Sequence, residues 1–265
     1  MTSDRIAQAA QAVASARQAR RKLVRLPDAI RPASLAEGYA IQDAASAILT
    51  AAGYGPVTGH KIGATTPVMQ QYMEIDHPCA GAIFATTVHK SGVTLPYADF
   101  VHVGLECEIA TRLGRDMAPS GAPYTRDSVA RYVDAYFTSI ELVDDRYVRW
   151  QDMGTPSLAA DHFFGAGCVL GEPVFPAGAP DLATTIGRAF VNGSEIASGT
   201  GADVMGHPLE ALAWIANHFA ARGRTLNAGE FVTTGSIVKT VWLSPGDRIA
   251  IDVQGLGRVE AHLTA

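Results

Sequence analysis

The chain is 265 residues long, 48% hydrophobic and 18% charged, an ordinary globular composition with enough length to bury a core without staples. Its net charge of −5 argues against nucleic acid as a partner, and no run of about 18 apolar residues marks a membrane span. Cys79, Cys107 and Cys168 stand far apart with no Cys-x-x-Cys pair; this argues against a disulfide framework or zinc knuckle and, without an apolar signal-type segment, suits a reducing, cytoplasmic setting.

Residues 3–25 are rich in Ala, Arg and Gln, with Ile6, Ala10, Val13 and Leu23 at loosely helical intervals, and Pro27 and Pro32 end the segment. The basic cluster Arg17, Arg20, Arg21, Lys22 and Arg25 reads as a solvated helix face. Ser34 followed by Glu37 is a capping-box pattern for a second helix, with Ile41, Ala44, Ala45 and Ile48 as its stripe and Gly53 and Gly55 as its stop. Residues 1–55 are therefore expected to form a small helical N-terminal region, with residues 56–265 as a mixed-β domain carrying the chemistry. Strands are expected at 58–63, 105–113, 138–144, 166–171, 186–192, 230–234, 248–253 and 257–263. Three helices interrupt them: a short one with Thr66 as N-cap and Pro67 at its first position, one from about Ser128 to Phe137, and one from Pro208 to Ala221 stopped by Gly223. Irregular alternation of helix and strand favours an α+β class with a mixed or antiparallel sheet system over a doubly wound fold.

Gly104-Leu105-Glu106-Cys107-Glu108-Ile109-Ala110 places two acids one residue apart in an apolar run. On a strand, Glu106 and Glu108 share one face, and Leu105, Cys107 and Ile109 point the other way into a core. Adjacent carboxylates repel unless one is protonated or a cation lies between them. A solvated acidic strand is the plain alternative. Glu141 is embedded in a second apolar run, where an unpaired carboxylate is costly, and Lys61 stands among glycines in Thr58-Gly59-His60-Lys61-Ile62-Gly63. An all-carboxylate donor set selects a hard ion, Mg2+, Mn2+ or Ca2+, over zinc or copper.

The chain resembles the 2-keto-4-pentenoate hydratase group of the fumarylacetoacetate hydrolase superfamily. The resemblance runs in order from about residue 20, through Gly59-His60-Lys61-Ile62-Gly63-Ala64-Thr65-Thr66, Glu106-Cys107-Glu108-Ile109-Ala110, Leu113-Gly114-Arg115-Asp116 and Ile140-Glu141-Leu142-Val143-Asp144-Asp145-Arg146. It continues through Gly206-His207-Pro208-Leu209, Thr233-Thr234-Gly235-Ser236, Pro245-Gly246-Asp247 and Gly255-Leu256-Gly257. It implies a mixed β roll or sandwich with a helical N-terminal region, metal-ligating Glu106, Glu108 and Glu141, an active-site Lys61, and Mg2+ or Mn2+ as cofactor. It also implies a short 2-oxo acid as substrate and a homo-oligomeric assembly. A 2-oxo acid can chelate a metal through its carboxylate and 2-oxygen, and the metal stabilises the enolate that follows proton transfer.

Two motifs depart from the family. Its Pro-Asp-aromatic-Gly is here Pro78-Cys79-Ala80-Gly81, so the acid assigned to proton transfer is replaced by Cys79; Asp76, with His77 close by in sequence, is the candidate substitute, set against another group. The family's Leu-Thr-Ser is also altered, to Ala64-Thr65-Thr66. His207 and Ser236 are candidate substrate contacts, set against plain roles as helix cap and turn serine. Asp161 and His162 read equally as part of an active-site segment or as a surface pair. Cys107 reads as core. No dinucleotide fingerprint, nucleophile elbow or phosphate loop occurs. The expected activity is a metal-dependent hydro-lyase, hydrating a 2-hydroxy-2,4-dienoate or 2-oxo-alkenoate in aromatic catabolism. The alternatives are a 2-oxo-alkenedioate decarboxylase, an acylpyruvate-type carbon–carbon hydrolase and a non-catalytic partner subunit.

Overall fold

A computed structural model describes residues 1–265. Helices α1 (Ser3–Gln18) and α2 (Leu35–Leu49) open the chain. Small residues let them approach closely: Ala9, Ala10 and Val13 of α1 share a core cluster with Ile41 and Ala45 of α2. The Ser34 hydroxyl caps α2 by accepting from the Glu37 N–H. Helix α1 stops at Gln18, short of the expected residue 25. Arg20 turns left-handed, and Leu23 then pairs in extended form with Tyr147, so a tertiary bridge overrides local helix propensity.

The remaining elements are β1 (Val57–Gly63), α3 (Pro67–Tyr72), β2 (Cys79–Phe84), β3 (Val88–Lys90), β4 (Val93–Pro96), β5 (Val103–Leu113), α4 (Arg126–Val129), β6 (Val133–Asp144), α5 (Thr155–Ala160) and β7 (Gly165–Leu170). They continue as β8 (Ile186–Val191), β9 (Ser194–Thr200), α6 (Pro208–Ala221), β10 (Phe231–Ser236), β11 (Val241–Trp242), β12 (Arg248–Val253) and β13 (Gly257–Thr264). An eight-stranded sheet has the order β2-β1-β10-β5-β6-β7-β3, with β11 also paired to β5; a five-stranded sheet has the order β4-β13-β12-β8-β9. Both are mixed, because β1 runs parallel to β10, β3 to β7 and β4 to β13. This is the α+β arrangement expected.

The main core lies between these layers. Leu105, Cys107 and Ile109 of β5 and Ile140 and Leu142 of β6 meet Ile249 and Ile251 of β12, Val259 of β13, and Leu212 and Ile215 of α6. The odd face of β5 is thus in the core, as its sequence predicts. Its even face is buried as well, with Glu108 and Ala110 fully covered, so the solvated-strand alternative fails.

The helix expected over 128–137 is corrected. Only Arg126–Val129 is α-helical, a single tight turn follows, and β6 begins at Val133. Val129, Tyr132, Val133 and Tyr136 happen to fall at helical spacing. The ladder to β5 decides otherwise, pairing Ala135 with Arg112 and Phe137 with Ala110. Strand β2 escapes sequence reading because Cys79-Ala80-Gly81-Ala82-Ile83-Phe84 is buried throughout and shows no alternation.

Candidate active site

Strands β5 and β6 are antiparallel, with Glu106 directly opposite Glu141 and Glu108 opposite Ser139. Like charges so opposed destabilise a sheet. The three carboxylates each offer an oxygen, and these oxygens lie within 4.8 Å of one another. Glu108 and Glu141 are buried, and Glu106 is half-buried at the rim.

Lys61 reaches the group across β10. It is the register partner of Thr233, and both side chains face Glu141. Lys61 Nζ lies 2.7 Å from Glu141 Oε1, and the Thr233 hydroxyl donates to Glu141 Oε2 at 2.9 Å. The Gly235 N–H donates to Glu108 Oε2 at 2.9 Å, and the Thr240 hydroxyl donates to Glu106. Gly235 has φ +113, and a β-carbon there would sit 2.5 Å from the Thr65 side chain, so only glycine allows this approach. Lys61 Nζ also donates to the Phe163 carbonyl at 3.1 Å.

Charge in this site does not balance. Three carboxylates face one ammonium. Burial, and then the Glu141 and Glu106 charges, push the Glu108 carboxyl well above its ordinary range. Burial raises Glu141 too; the Lys61 ammonium opposes that rise and Glu106 adds to it. Burial alone would lower Lys61, yet Glu141, Glu106 and Glu108 more than offset it and hold the ammonium charged. Glu108 Oε1 is buried with no hydrogen-bond partner. An orphaned carboxylate oxygen costs about 1–3 kcal/mol or more when charged. A hard divalent cation answers both the surplus charge and the free oxygen, so the donor set fits Mg2+ or Mn2+.

The other expected residues fall elsewhere. The turn before β2 directs the Asp76 side chain outward, 98% exposed, with His77 3.9 Å away. His207 Nδ1 accepts from the Leu209 N–H as the cap of α6, and its charged neighbours are Arg126, Asp181 and Glu210. Ser236 is the register partner of Glu108, but its hydroxyl is bonded to the N–H and C=O of Cys107. Cys79 lies opposite Gly63 and is fully buried, with its thiol pushed up to about 12 by burial. Cys107 is core, as expected. Asp161 and His162 are buried, which excludes the surface-pair reading. Sequence reasoning missed Thr233, Gly235 and Thr240; the Thr233-Thr234-Gly235-Ser236 motif was the available signal for the first two. Two surface cavities, of about 420 and 230 Å3, are lined by other residues.

The family model described as fumarylacetoacetate (FAA) hydrolase C-terminal matches residues 71–264. The chain belongs to the fumarylacetoacetate hydrolase family. Within that family, it is 29% identical over 262 residues to 2-keto-4-pentenoate hydratase of Paraburkholderia xenovorans (strain LB400), covering 99% of this chain and 96% of the relative. It is 32% identical over 208 residues to the 2-keto-4-pentenoate hydratase of Burkholderia vietnamiensis (strain G4 / LMG 22486), 78% of each. Its structure superimposes with a TM-score of 0.93 on 4-oxalocrotonate decarboxylase from Pseudomonas putida G7 complexed with magnesium and adipate, at 25% identity over 99% of this chain and 98% of the other. No helix is long and apolar enough to cross a membrane.

Proposed function

We propose that this fumarylacetoacetate hydrolase family member is a metal-dependent hydro-lyase acting on a 2-hydroxy-2,4-dienoate or related 2-oxo-alkenoate. One observation carries the reading: a buried group of three glutamates, mutually within 4.8 Å, is matched by a single ammonium. Glu106, Glu108 and Glu141 are the residues that hold Mg2+ or Mn2+. When bound, such an ion supplies Lewis acidity toward a 2-oxo carboxylate. Half-buried Glu106 marks the open side of the site. Gly235 and Thr233 aim Glu108 and Glu141 by donating to one oxygen of each. Lys61 carries the mobile proton at Nζ and offers a cation to the substrate's oxygens. Ser236 flanks the substrate space beside Glu108. Asp76 and His207 take no part.

The same proposal places catalysis on residues 56–265, with residues 1–55 packed on them as a helical region, in a cytoplasmic homo-oligomer. A 2-oxo-alkenedioate decarboxylase is the second reading. Cys79 favours it, because a fully buried thiol pushed up to about 12 is a poor donor for the proton that hydration delivers, and Asp76 is too exposed to replace it.

Two measurements test the proposal. Mn2+ with oxalate, at about 100 times its dissociation constant, is expected to add about 2.7 kcal/mol of stability, or on the order of 5–10 °C in Tm. No shift with either ion removes the metal-enzyme reading. Loss of dienol absorbance with no carbon dioxide release then supports hydration, and stoichiometric carbon dioxide from a 2-oxo-alkenedioate supports decarboxylation.

A further inference from the structure

Between α5 and β7 the backbone does something unusual. His162, Phe163 and Phe164 have φ values of 55°, 49° and 66°, three consecutive non-glycine residues in the left-handed region. Such a run is strained and persists only where its surroundings over-determine it. Here the surroundings are specific. Arg146 donates from Nε and Nη2 to Asp161 Oδ2 at 3.2 and 3.0 Å, and from Nη2 to the Asp161 carbonyl at 3.2 Å. Its Nη1 donates to the Gly165 carbonyl at 3.2 Å, on the far side of the strained run. One guanidinium therefore grips both ends of the turn. Tyr147 donates its hydroxyl to Asp161 Oδ2 at 3.0 Å, and Arg17, reaching down from α1, lies 4.0 Å from Asp161 Oδ1. In the middle, His162 Nδ1 accepts from the Ala82 N–H at 3.2 Å.

The turn lies directly over Lys61. A β-carbon at Gly81 would sit 2.4 Å from the His162 carbonyl oxygen, and one at Gly63 would sit 2.4 Å from the Phe163 ring. Those two glycines in β1 and β2 let the turn press against the sheet. The left-handed backbone aims the Phe163 carbonyl at Lys61 Nζ, 3.1 Å away, and the ammonium's other partner is Glu141 Oε1 at 2.7 Å. An ammonium has three donors on a flexible stem, so its direction is set by its acceptors.

We propose that Arg146 and Asp161 form a positioning clamp: by holding the left-handed His162–Phe164 turn at both ends, they fix the Phe163 carbonyl that steers Lys61 Nζ toward the acidic group. Neither touches the reacting atoms; both act through Lys61. The clamp rests on the reading of Lys61 as the proton-carrying residue.

Arg146→Lys keeps the charge but loses the fork that spans both ends of the turn. It is expected to lower kcat about 10-fold or more, because small misplacements of a catalytic group are costly. KM and Mn2+ affinity should stay within about twofold of wild type, since the Arg146 side chain pairs with Asp144 and Asp161, donates to backbone carbonyls and bonds to none of the three glutamates. In a Lys61→Met background, Arg146→Lys should cost nothing further, because its effect runs through the missing ammonium. Tyr147→Phe, a milder change to the same clamp, is expected to lower kcat a few-fold with the same coupling, and serves if Arg146→Lys does not fold. A readout free of the reaction is the nitrogen-15 signal of the Lys61 ammonium, assigned by its loss in Lys61→Met, which should shift in either clamp variant. Equal cost in both backgrounds, a parallel fall in Mn2+ affinity, or an unmoved Lys61 signal overturns the clamp. If the wild-type protein turns over neither dienoate nor alkenedioate, the enzymatic reading fails, and the Lys61 signal still decides the clamp.

Discussion

Two clusters of buried charge lie in this molecule, and they are built differently. Around Asp161, the carboxylates of Asp161 and Asp144 meet the guanidinium groups of Arg17 and Arg146, two against two, and Tyr147 and backbone carbonyls add bonds, although Asp161 Oδ1 and Arg17 Nη1 have no hydrogen-bond partner. Around Glu108, three carboxylates meet only Lys61, and one buried oxygen has no donor. A cluster that balances itself is consistent with holding the fold. One left two charges short is stable in a folded protein only if it is partly protonated or receives a cation.

Substitutions separate the two kinds. Asp161→Asn removes charge from the balanced cluster and is expected to lower the unfolding free energy by about 3 kcal/mol in urea titrations, with Mn2+ affinity unchanged. Glu108→Gln removes charge from the deficient one. It is expected to weaken Mn2+ binding on the order of 100-fold by calorimetry, yet to leave the metal-free protein as stable as wild type or more so. If Glu108→Gln destabilises the metal-free protein as Asp161→Asn does, the distinction collapses.

A smaller effect is expected with pH. Glu108 and Glu141 have folded-state values raised above 4.5, so folding favours their protonated forms. Their contribution to stability is complete below the ordinary carboxylate value and is lost as pH rises through the raised one. In chelator, Tm should therefore fall across that window, and saturating Mn2+ should flatten the profile. A flat profile without metal contradicts the deficit. The smallest change is Asp76→Asn, expected to alter kcat/KM less than about twofold, as for an exposed substitution away from the site. A larger loss returns Asp76 to the mechanism.

Much of the site was legible before the fold was known. Glu-x-Glu in an apolar run is anomalous without a cation, and a second isolated glutamate in another apolar run repeats the anomaly. Those are local signals of burial against charge. The exposure of Asp76 was not legible, because nearness in sequence to Cys79 says nothing about which way a turn directs a side chain. Arg17 misled in the opposite sense: read within a solvated basic face, it is buried against Asp161, while Arg20, Arg21, Lys22 and Arg25 remain exposed. Its helix carries alanines on the packed side, and periodicity does not reveal which long side chain reaches across to a partner far along the chain.

The amino-acid order by itself determined the α+β class, most strand positions, the cores on the odd face of β5 and the buried face of α6, and the three glutamates and lysine. Each follows from alternation, capping or the cost of burying charge, which depend on neighbours in sequence, except Lys61, whose role came from the family resemblance. The tertiary structure alone decided that Glu106 faces Glu141 across a ladder, that Lys61 reaches them over Thr233, and that Gly235 donates to Glu108. It alone set a strained turn, held by Arg146, against Lys61. These depend on strand register and on contacts between residues about 20 to 170 positions apart, where a one-residue slip would turn every side chain to the opposite face.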